Sequence, residues 1–207
     1  MTDRLPATPE GIAAAAEILQ AGGLVAFPTD TVYGLACAAS RPDRLEAIFA
    51  LKERPIDKRI PMLVADLGHV PGDRWTVDER AHELADRFWP GPLTLVLPAR
   101  DGTSSQAFRA PDHPVAQALI KAGGPLLATS ANISGQPDTL DADDVLIAFA
   151  TQRELLAAVL DGGRVSGGVP STVLDLSATS AQILREGPVS RATLDGVLEL
   201  EGSEEGR

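Results

Sequence analysis

Short apolar stretches alternate with helix-like segments along most of this chain, and this alternation limits its fold more than any other feature. The first helix signal is Thr8 followed by Pro9 and Glu10, and the glycines at 22 and 23 end that segment. An apolar stretch, LVAFP, follows directly and predicts a strand. Because strands that alternate with helices form a sheet covered by helices, we predict an α/β fold.

The same pattern continues towards the C-terminal third. Further predicted helices are 42–51, 78–88 and 114–122, and further predicted strands are 61–65, 93–97 and 126–129. After Gln136 we predict two helices, the first capped by Asp141 and the second opened by a capping box of Thr151 and Glu154. Strands around VLDGG, STVLDL and AQILRE then follow without long helices between them, which indicates a mixed sheet.

Length and hydrophobicity set the number of domains. The 207 residues, 44% of them hydrophobic, predict one domain over 1–197 and an acidic tail over 198–207. No apolar run approaches the ~20 residues of a membrane span, and the N-terminus lacks a signal-peptide layout, so we expect a cytoplasmic location. The single cysteine, Cys37, excludes an internal disulfide and is interpreted as a small buried hydrophobic residue.

Charge narrows the class of ligand. A formal net charge of -11 argues against a protein that binds nucleic acid over its whole surface, so any RNA contact must be local. Two of the three lysines, Lys52 and Lys58, fall within KERPIDKR together with Arg54 and Arg59. Pro55 should end the preceding helix, so we expect Lys52 and Arg54 to project from a helix end. This cluster could neutralise a polyphosphate or be a solvated helix end, and no GxxxxGK[ST] motif is present.

Two further segments place small polar residues directly after an apolar strand. In FPTDTVYGL these are Thr29, Asp30, Thr31 and Tyr33, at the position where open α/β sheets place ligands. The segment LLATSANISGQP has the same layout. Its polar residues are Thr129, Ser130, Asn132 and Ser134. Either segment can be a binding loop or an ordinary turn stabilised by its own side chains.

Isolated arginines mark the remaining candidate positions. Two further polar strand edges are FRAPDHP, with Arg109, and GGVPSTVLDL, with Ser171 and Thr172, and Arg185 follows in LREGP. Each arginine alone is typical of a surface salt bridge. The residues therefore indicate an anion or nucleotide binder that acts by positioning, with no acid–base pair or nucleophile triad and with three histidines too scattered for a zinc site.

Eight motifs together resemble the YrdC/TsaC family of threonylcarbamoyl-AMP synthases, from about Gly22 to Pro188. The motifs are FPTDTVYGL, KERPIDK, WPGPLTLVL, RAPDHP, TSANISG, LDGG, PSTVLD and LREGP. The resemblance implies a twisted mixed sheet with flanking helices around a concave cavity. It also implies an enzyme, a nucleotidyltransferase that forms L-threonylcarbamoyladenylate and pyrophosphate from L-threonine, bicarbonate and ATP for a tRNA modification.

The resemblance also implies roles for individual residues. Those implied to bind ATP are Lys52, Arg54, Lys58, Ser105, Ser130, Asn132 and Arg185. Of these, Lys52, Arg54, Ser130 and Asn132 correspond to the family's KxR and SxN residues and are implied to be catalytic. Those implied to hold threonine are Thr31, Arg109, Ala128 and Ser171. Mg²⁺ is expected on the nucleotide phosphates, with no metal ligand from the protein.

Two departures from the family pattern stand out. Leu63 occupies a position where longer members carry a histidine near threonine, and the sequence ends soon after LREGP, which suggests the short form. Short forms are implied to hand their product to a transferase partner, and a weak contact with tRNA fits the same role. The alternatives are a non-catalytic RNA-binding module and a paralogue that handles another carbamoyl substrate.

Overall fold

The computed structural model of the chain describes residues 2–53, 55 and 59–198, and ten strands within these ranges form one sheet. The strands are β1 (Asp3–Pro6), β2 (Val25–Pro28), β3 (Tyr33–Ala38), β4 (Met62–Leu63), β5 (Leu93–Pro98), β6 (Ser105–Arg109), β7 (Leu126–Ser130), β8 (Ala158–Asp161), β9 (Thr172–Asp175) and β10 (Gln182–Arg185).

The sheet is mixed, as predicted. Its strand order is β1-β8-β2-β3-β7-β4-β6-β5-β9-β10. The pairs β1/β8, β8/β2, β4/β6 and β5/β9 are parallel. The other five neighbouring pairs are antiparallel. Strands distant in sequence thus become neighbours in the sheet, which brings polar strand ends from across the chain together.

Helices cover the sheet, and their first residues follow the capping rules. They are α1 (Pro9–Gln20), α2 (Leu45–Lys52), α3 (Glu79–Phe88), α4 (Pro114–Gly123), α5 (Ala142–Ala148) and α6 (Arg191–Asp195). Thr8 caps α1, where its hydroxyl accepts from the Gly11 amide at 3.3 Å, and Asp141 caps α5, where its carboxylate accepts from the Asp144 amide at 2.8 Å. Both caps are as predicted.

Three apolar clusters hold the layers together. Alternate residues of β2 separate two of them, because Val25 and Phe27 face α1 and α4 while Ala26 lies on the other face with residues of α2 and α5. The third cluster lies around β5, β6 and β9 and is covered by residues of α3 and α6. Cys37 is fully buried, as predicted, and burial raises the pKa of its thiol to about 11, which leaves it unreactive.

The predicted helix after Thr151 is wrong. Arg153–Leu155 forms a single 3₁₀ turn, its N-cap Gln152 makes no side-chain capping bond, and the predicted capping box is absent there. Only nine residues separate the end of α5 from the start of β8, so the chain has no room for a second helix. Three elements were also not predicted from the sequence, β1, β3 and α6, and β6 was predicted only as a strand edge at FRAPDHP.

None of the helices in the described ranges has both the length and the apolar character that a bilayer crossing requires. Residues 199–207, which include most of the predicted acidic tail, lie outside the described residues. The boundary between domain and tail therefore stays a prediction.

Candidate functional site

A cavity of about 380 Å³ opens on the sheet at the strand ends that the sequence singled out. It is lined by residues of β3, β4, β5, β6, β7, β9 and β10 and by the turn that follows β2. Six of the predicted site residues line it: Thr31, Arg109, Ala128, Ser130, Ser171 and Arg185. The sheet order explains this convergence, since the strands that carry these residues lie side by side although they are spread over 155 positions in sequence.

The turn after β2 is held by the hydroxyl of Thr29. This hydroxyl donates to the Val32 carbonyl at 2.6 Å and accepts from the amides of Thr31 and Val32 at 3.2 and 3.3 Å. The Thr31 hydroxyl lies 3.1 Å from it and lines the cavity. The predicted turn is therefore present, and its own bonds position Thr31 in the cavity wall, while the binding role of this segment stays a prediction.

Arg109 provides a buried cation at the cavity wall. Its side chain pairs with Asp30 at 2.5 Å, and its Nε donates to the Gly91 carbonyl at 3.0 Å. Burial lowers the pKa of Arg109, and the charge of Asp30 opposes that shift. Asp30 uses only one oxygen for this pair, since its Oδ1 is buried without a hydrogen-bond partner among the described residues.

Arg185 approaches the same cavity from β10. Its Nε and Nη2 donate to the Ser171 carbonyl at 3.0 and 2.8 Å, and the Ser171 hydroxyl lies 2.8 Å from that of Thr94. Burial lowers the pKa of Arg185, and the positive charge of Arg109 lowers it further. Two guanidinium groups that repel each other across one cavity favour an anion between them.

Lys52 does not project from the helix end, which corrects the sequence prediction. It is 1% exposed, and its ammonium donates to the Asn132 carbonyl at 2.6 Å, to the Asn132 side chain at 3.2 Å and to the Ser130 carbonyl. Asn132 also accepts from the Ser130 hydroxyl at 2.7 Å and is itself buried. An ammonium buried without partners is costly, so the lysine turns back onto the carbonyls that end β7.

Lys52 and Asn132 therefore lie behind Ser130 rather than in the cavity wall. Ser105 is also outside the wall, where its hydroxyl accepts from Arg59 at 2.7 Å, and Arg59 itself lines the cavity. Arg54 and Lys58, the remaining predicted ATP ligands, lie outside the described residues.

Comparison with known proteins identifies the family that carries this cavity. A family model named for Sua5, YciO and YrdC, with the description "Telomere recombination", matches residues 17–187. The chain belongs to the Sua5/YciO/YrdC family. The resemblance stated from the eight motifs is thereby confirmed.

Relatives in the family share most of this chain. The threonylcarbamoyl-AMP synthase of Bacillus subtilis is 36% identical over 96% of this chain and 59% of its own length. A putative threonylcarbamoyl-AMP synthase of Mycobacterium leprae is 37% identical over 91% of this chain and 88% of its own. The solved structure of Pyrococcus abyssi Sua5 complexed with L-threonine superposes with a TM-score of 0.85 at 34% identity, over 97% of this chain and 62% of that one. The chain thus spans about three fifths of the Bacillus and Pyrococcus proteins.

The YrdC-like fold is therefore confirmed, and the cavity contains residues that sequence reasoning did not assign. Thr94 is 3% exposed and lines the cavity from β5, where a threonine within the apolar run LTLVL was the available signal. Asp138 also lines the cavity, but nothing in its sequence context distinguishes it from a loop aspartate. Leu63 lies in the wall and is 7% exposed, so the departure from the family's histidine falls within the cavity.

The cavity of this family member offers few groups for a metal ion. The described part of the chain contains no group of three or more histidine, cysteine, aspartate or glutamate side chains that could hold one. Among the described residues, Asp138 lines the cavity and is exposed, while Asp30 is paired with the lining residue Arg109.

Proposed function

We propose that this chain forms L-threonylcarbamoyladenylate and pyrophosphate from L-threonine, bicarbonate and ATP. The observation that carries the proposal is the convergence of Thr31, Arg109, Ser130, Ser171 and Arg185 on one cavity. The names of relatives 34–38% identical to the chain support the same activity. Classification as a nucleotidyltransferase belongs to this proposal.

The amino-acid end of the cavity would be formed by Thr31, Arg109, Ala128 and Ser171. Arg109 is a cation that can face a carboxylate, and Thr31 and Ser171 carry hydroxyls that line the same cavity. Leu63 and Ala128 add apolar surface, which suits a methyl group. The L-threonine complex of the Pyrococcus relative supports L-threonine as the amino acid that this chain binds.

The nucleotide end would be formed by Ser130, Arg185 and Arg59, with Arg54 and Lys58 added from the cationic segment. Lys52 and Asn132 would act at this end through Ser130, whose carbonyl and hydroxyl they hold. Cations and fixed dipoles of this kind neutralise phosphate charge without a covalent role for the protein. Mg²⁺ would supply further charge neutralisation on the phosphates.

The chemistry needs positioning more than acid–base catalysis. The threonine amine attacks bicarbonate and gives a carbamate and water. A carbamate oxygen then attacks the α-phosphorus of ATP, the bond to the β-phosphate oxygen breaks, and pyrophosphate leaves. Holding the carbamate and the phosphate in line is worth several kcal/mol, which fits a site without a general base among its described residues.

The test is release of pyrophosphate from ATP by the purified chain. It should require L-threonine and bicarbonate together, and the adenylate should appear in equal amount by mass spectrometry. Arg109→Ala should lose this activity, while Arg41→Ala, which removes an arginine paired on the surface with Asp43, should keep it. Release of pyrophosphate that is independent of threonine would refute the proposal.

A transferase that takes over the unstable product is the partner that this activity implies, and a cytoplasmic location fits it. We also propose that any tRNA contact is local and weak, since the net charge is -11. Tight, salt-dependent binding of tRNA by a chain without adenylate activity would favour the RNA-binding alternative instead.

A further inference from the structure

The segment that joins β8 to β9 passes along the cavity. Its two ends are fixed, since the Val165 amide donates to the Leu140 carbonyl at 2.8 Å and Ser171 is 4% exposed. Residues 166–170 lie between these two ends. Gly168 is the middle residue of this stretch, and it lines the cavity.

Gly168 lacks the two common structural reasons for a glycine, which are a positive φ and crowding of a Cβ. The preceding residue, Gly167, has a φ of 73°, which favours glycine. Gly34 lines the same cavity, and a Cβ there would lie only 3.2 Å from the ring of Phe27. At Gly168, by contrast, φ lies outside the left-handed region, and a Cβ would come no closer than 3.7 Å to any described atom of another segment.

A side chain at position 168 would contact Thr31. The three atoms nearest to a Cβ built there all belong to this threonine, with Cα at 3.7 Å, Cγ2 at 3.8 Å and Cβ at 4.0 Å. These are ordinary van der Waals distances, so a methyl group would fit without displacing the backbone. It would occupy space beside Thr31 in the cavity that both residues line. The chain leaves this space empty without needing it for its own packing.

We propose that Gly168 is a specificity-determining residue that leaves room beside Thr31 for the side chain of the amino-acid substrate. The inference rests on the proposed function, in which Thr31 belongs to the amino-acid end of the cavity. A side chain at position 168 would compete for this room with the methyl group of L-threonine. One methyl group in a pocket changes the preference between two substrates by roughly ten- to two-hundredfold. Glycine at this position therefore admits threonine, whereas alanine would shift the preference towards serine.

The experiment compares L-threonine with L-serine, which has the same amine and hydroxyl but lacks the methyl group. Dissociation constants for both amino acids and for ATP are measured by calorimetry for the unaltered protein and for Gly168→Ala. In the variant, the dissociation constant of threonine should rise about tenfold, and that of serine by less than about threefold. ATP affinity should not change, and the melting temperature should not fall, because the added methyl group makes only ordinary contacts.

Gly72→Ala is the matched control. Among the described residues, a Cβ at position 72 would have only the Val70 carbonyl within 4 Å, at 4.0 Å, and Gly72 does not line the cavity. This variant should leave all three dissociation constants unchanged. If Gly168→Ala does not fold, Gly168→Ser adds the same Cβ with a hydroxyl that suits an exposed loop, and it should give the same change.

Two results would overturn the inference. An unchanged ratio of the threonine and serine dissociation constants in a folded variant would mean that the substrate's side chain lies elsewhere. An equal loss for both amino acids, or a loss of ATP affinity, would mean that a side chain at position 168 obstructs the whole cavity. Failure of the unaltered protein to bind either amino acid would instead count against the proposed function.

Discussion

Two buried cations near the cavity, Lys52 and Arg109, are held in different ways. Lys52 is surrounded by carbonyl and amide oxygens that end β7, and it lies behind the cavity wall. Arg109 is paired with the carboxylate of Asp30 and lies in the wall itself. The sequence analysis interpreted the two residues in the same way, because each was a cation expected to bind an anionic ligand.

The difference teaches that a buried charge can organise a site without facing its ligand. The ammonium of Lys52 brings together the Ser130 carbonyl and the Asn132 side chain, and so it shapes the loop after β7. The planar guanidinium of Arg109 can bind Asp30 and Gly91 and still present an edge to the cavity. Both arrangements predict an effect on stability, and that of Arg109 predicts an effect on ligand binding as well.

Removing the Lys52 charge should have the largest effect. Lys52→Met keeps the length of the side chain but leaves two carbonyls and an amide oxygen without their donor, at a cost of about 3 to 5 kcal/mol in the free energy of unfolding. The measurement is urea unfolding followed by circular dichroism. Lys121→Met, at an exposed lysine, is the matched control and should unfold at the same urea concentration as the unaltered protein. Equal unfolding midpoints for the two variants would contradict the structural role of Lys52.

Asp30→Asn tests the other side of the comparison. It keeps the shape of the carboxylate but leaves Arg109 buried without its counter-ion, which should cost about 2 to 3 kcal/mol in the free energy of unfolding. The matched control is Asp43→Asn, which breaks the exposed pair with Arg41 and should change the melting temperature little. If both variants melt together, the buried pair adds nothing beyond an exposed one.

Arg54 extends the comparison to a cation outside the described residues. If the planar guanidinium of Arg54 binds phosphate through two hydrogen bonds, Arg54→Lys should lose about 1.5 to 3 kcal/mol of transition-state binding. This loss corresponds to a decrease in turnover on the order of ten- to a hundredfold. ATP affinity and pyrophosphate release are measured beside Arg207→Lys, with melting temperatures checked for both. Unchanged activity in Arg54→Lys would mean that a charge alone suffices there.

His113 should give the smallest effect, and it depends on pH. Burial lowers the pKa of His113 from its usual 6.5, against the opposing charges of Asp30 and Asp112. Below about pH 6.5 the unfolded chain therefore binds more protons than the folded one, so stability falls as the pH drops towards the folded pKa. His113→Asn should flatten this dependence between about pH 7 and 5, and the effect should be small because the side chain is only partly buried. An equal dependence of the melting temperature on pH in the unaltered protein and in His113→Asn would refute this prediction.

Much of the fold could be predicted because local signals agreed with it. Thr8 and Asp141 cap the helices that they were expected to cap, and the apolar stretches at β2, β5 and β7 are buried strands. What failed depended on tertiary contacts. β3 is a fully buried strand whose residues show no alternation, and β1 has little burial of its own and is held by pairing with β8.

The candidate site, like the fold, could be predicted from the sequence only in part. The motifs indicated that Thr31, Arg109 and Arg185 lie at strand ends, but only the sheet order brings them to one cavity. The inward turn of Lys52 could not be predicted, because it depends on carbonyls of Ser130 and Asn132, about eighty residues away. Thr94 was missed for a similar reason, since its partner Ser171 lies far along the chain, directly before β9.

The order of the strands also bears on when the cavity can exist during translation. β2 cannot pair with β8, and β5 cannot pair with β9, until the later strand of each pair has been synthesised. Arg185 on β10 is the last of the lining residues to be synthesised. Before then the nascent chain exposes the apolar strands of a half-built sheet, a state prone to association with other chains. Ligand binding can therefore begin only after the strand that carries Arg185 has left the ribosome, and chains terminated before this strand should lack it.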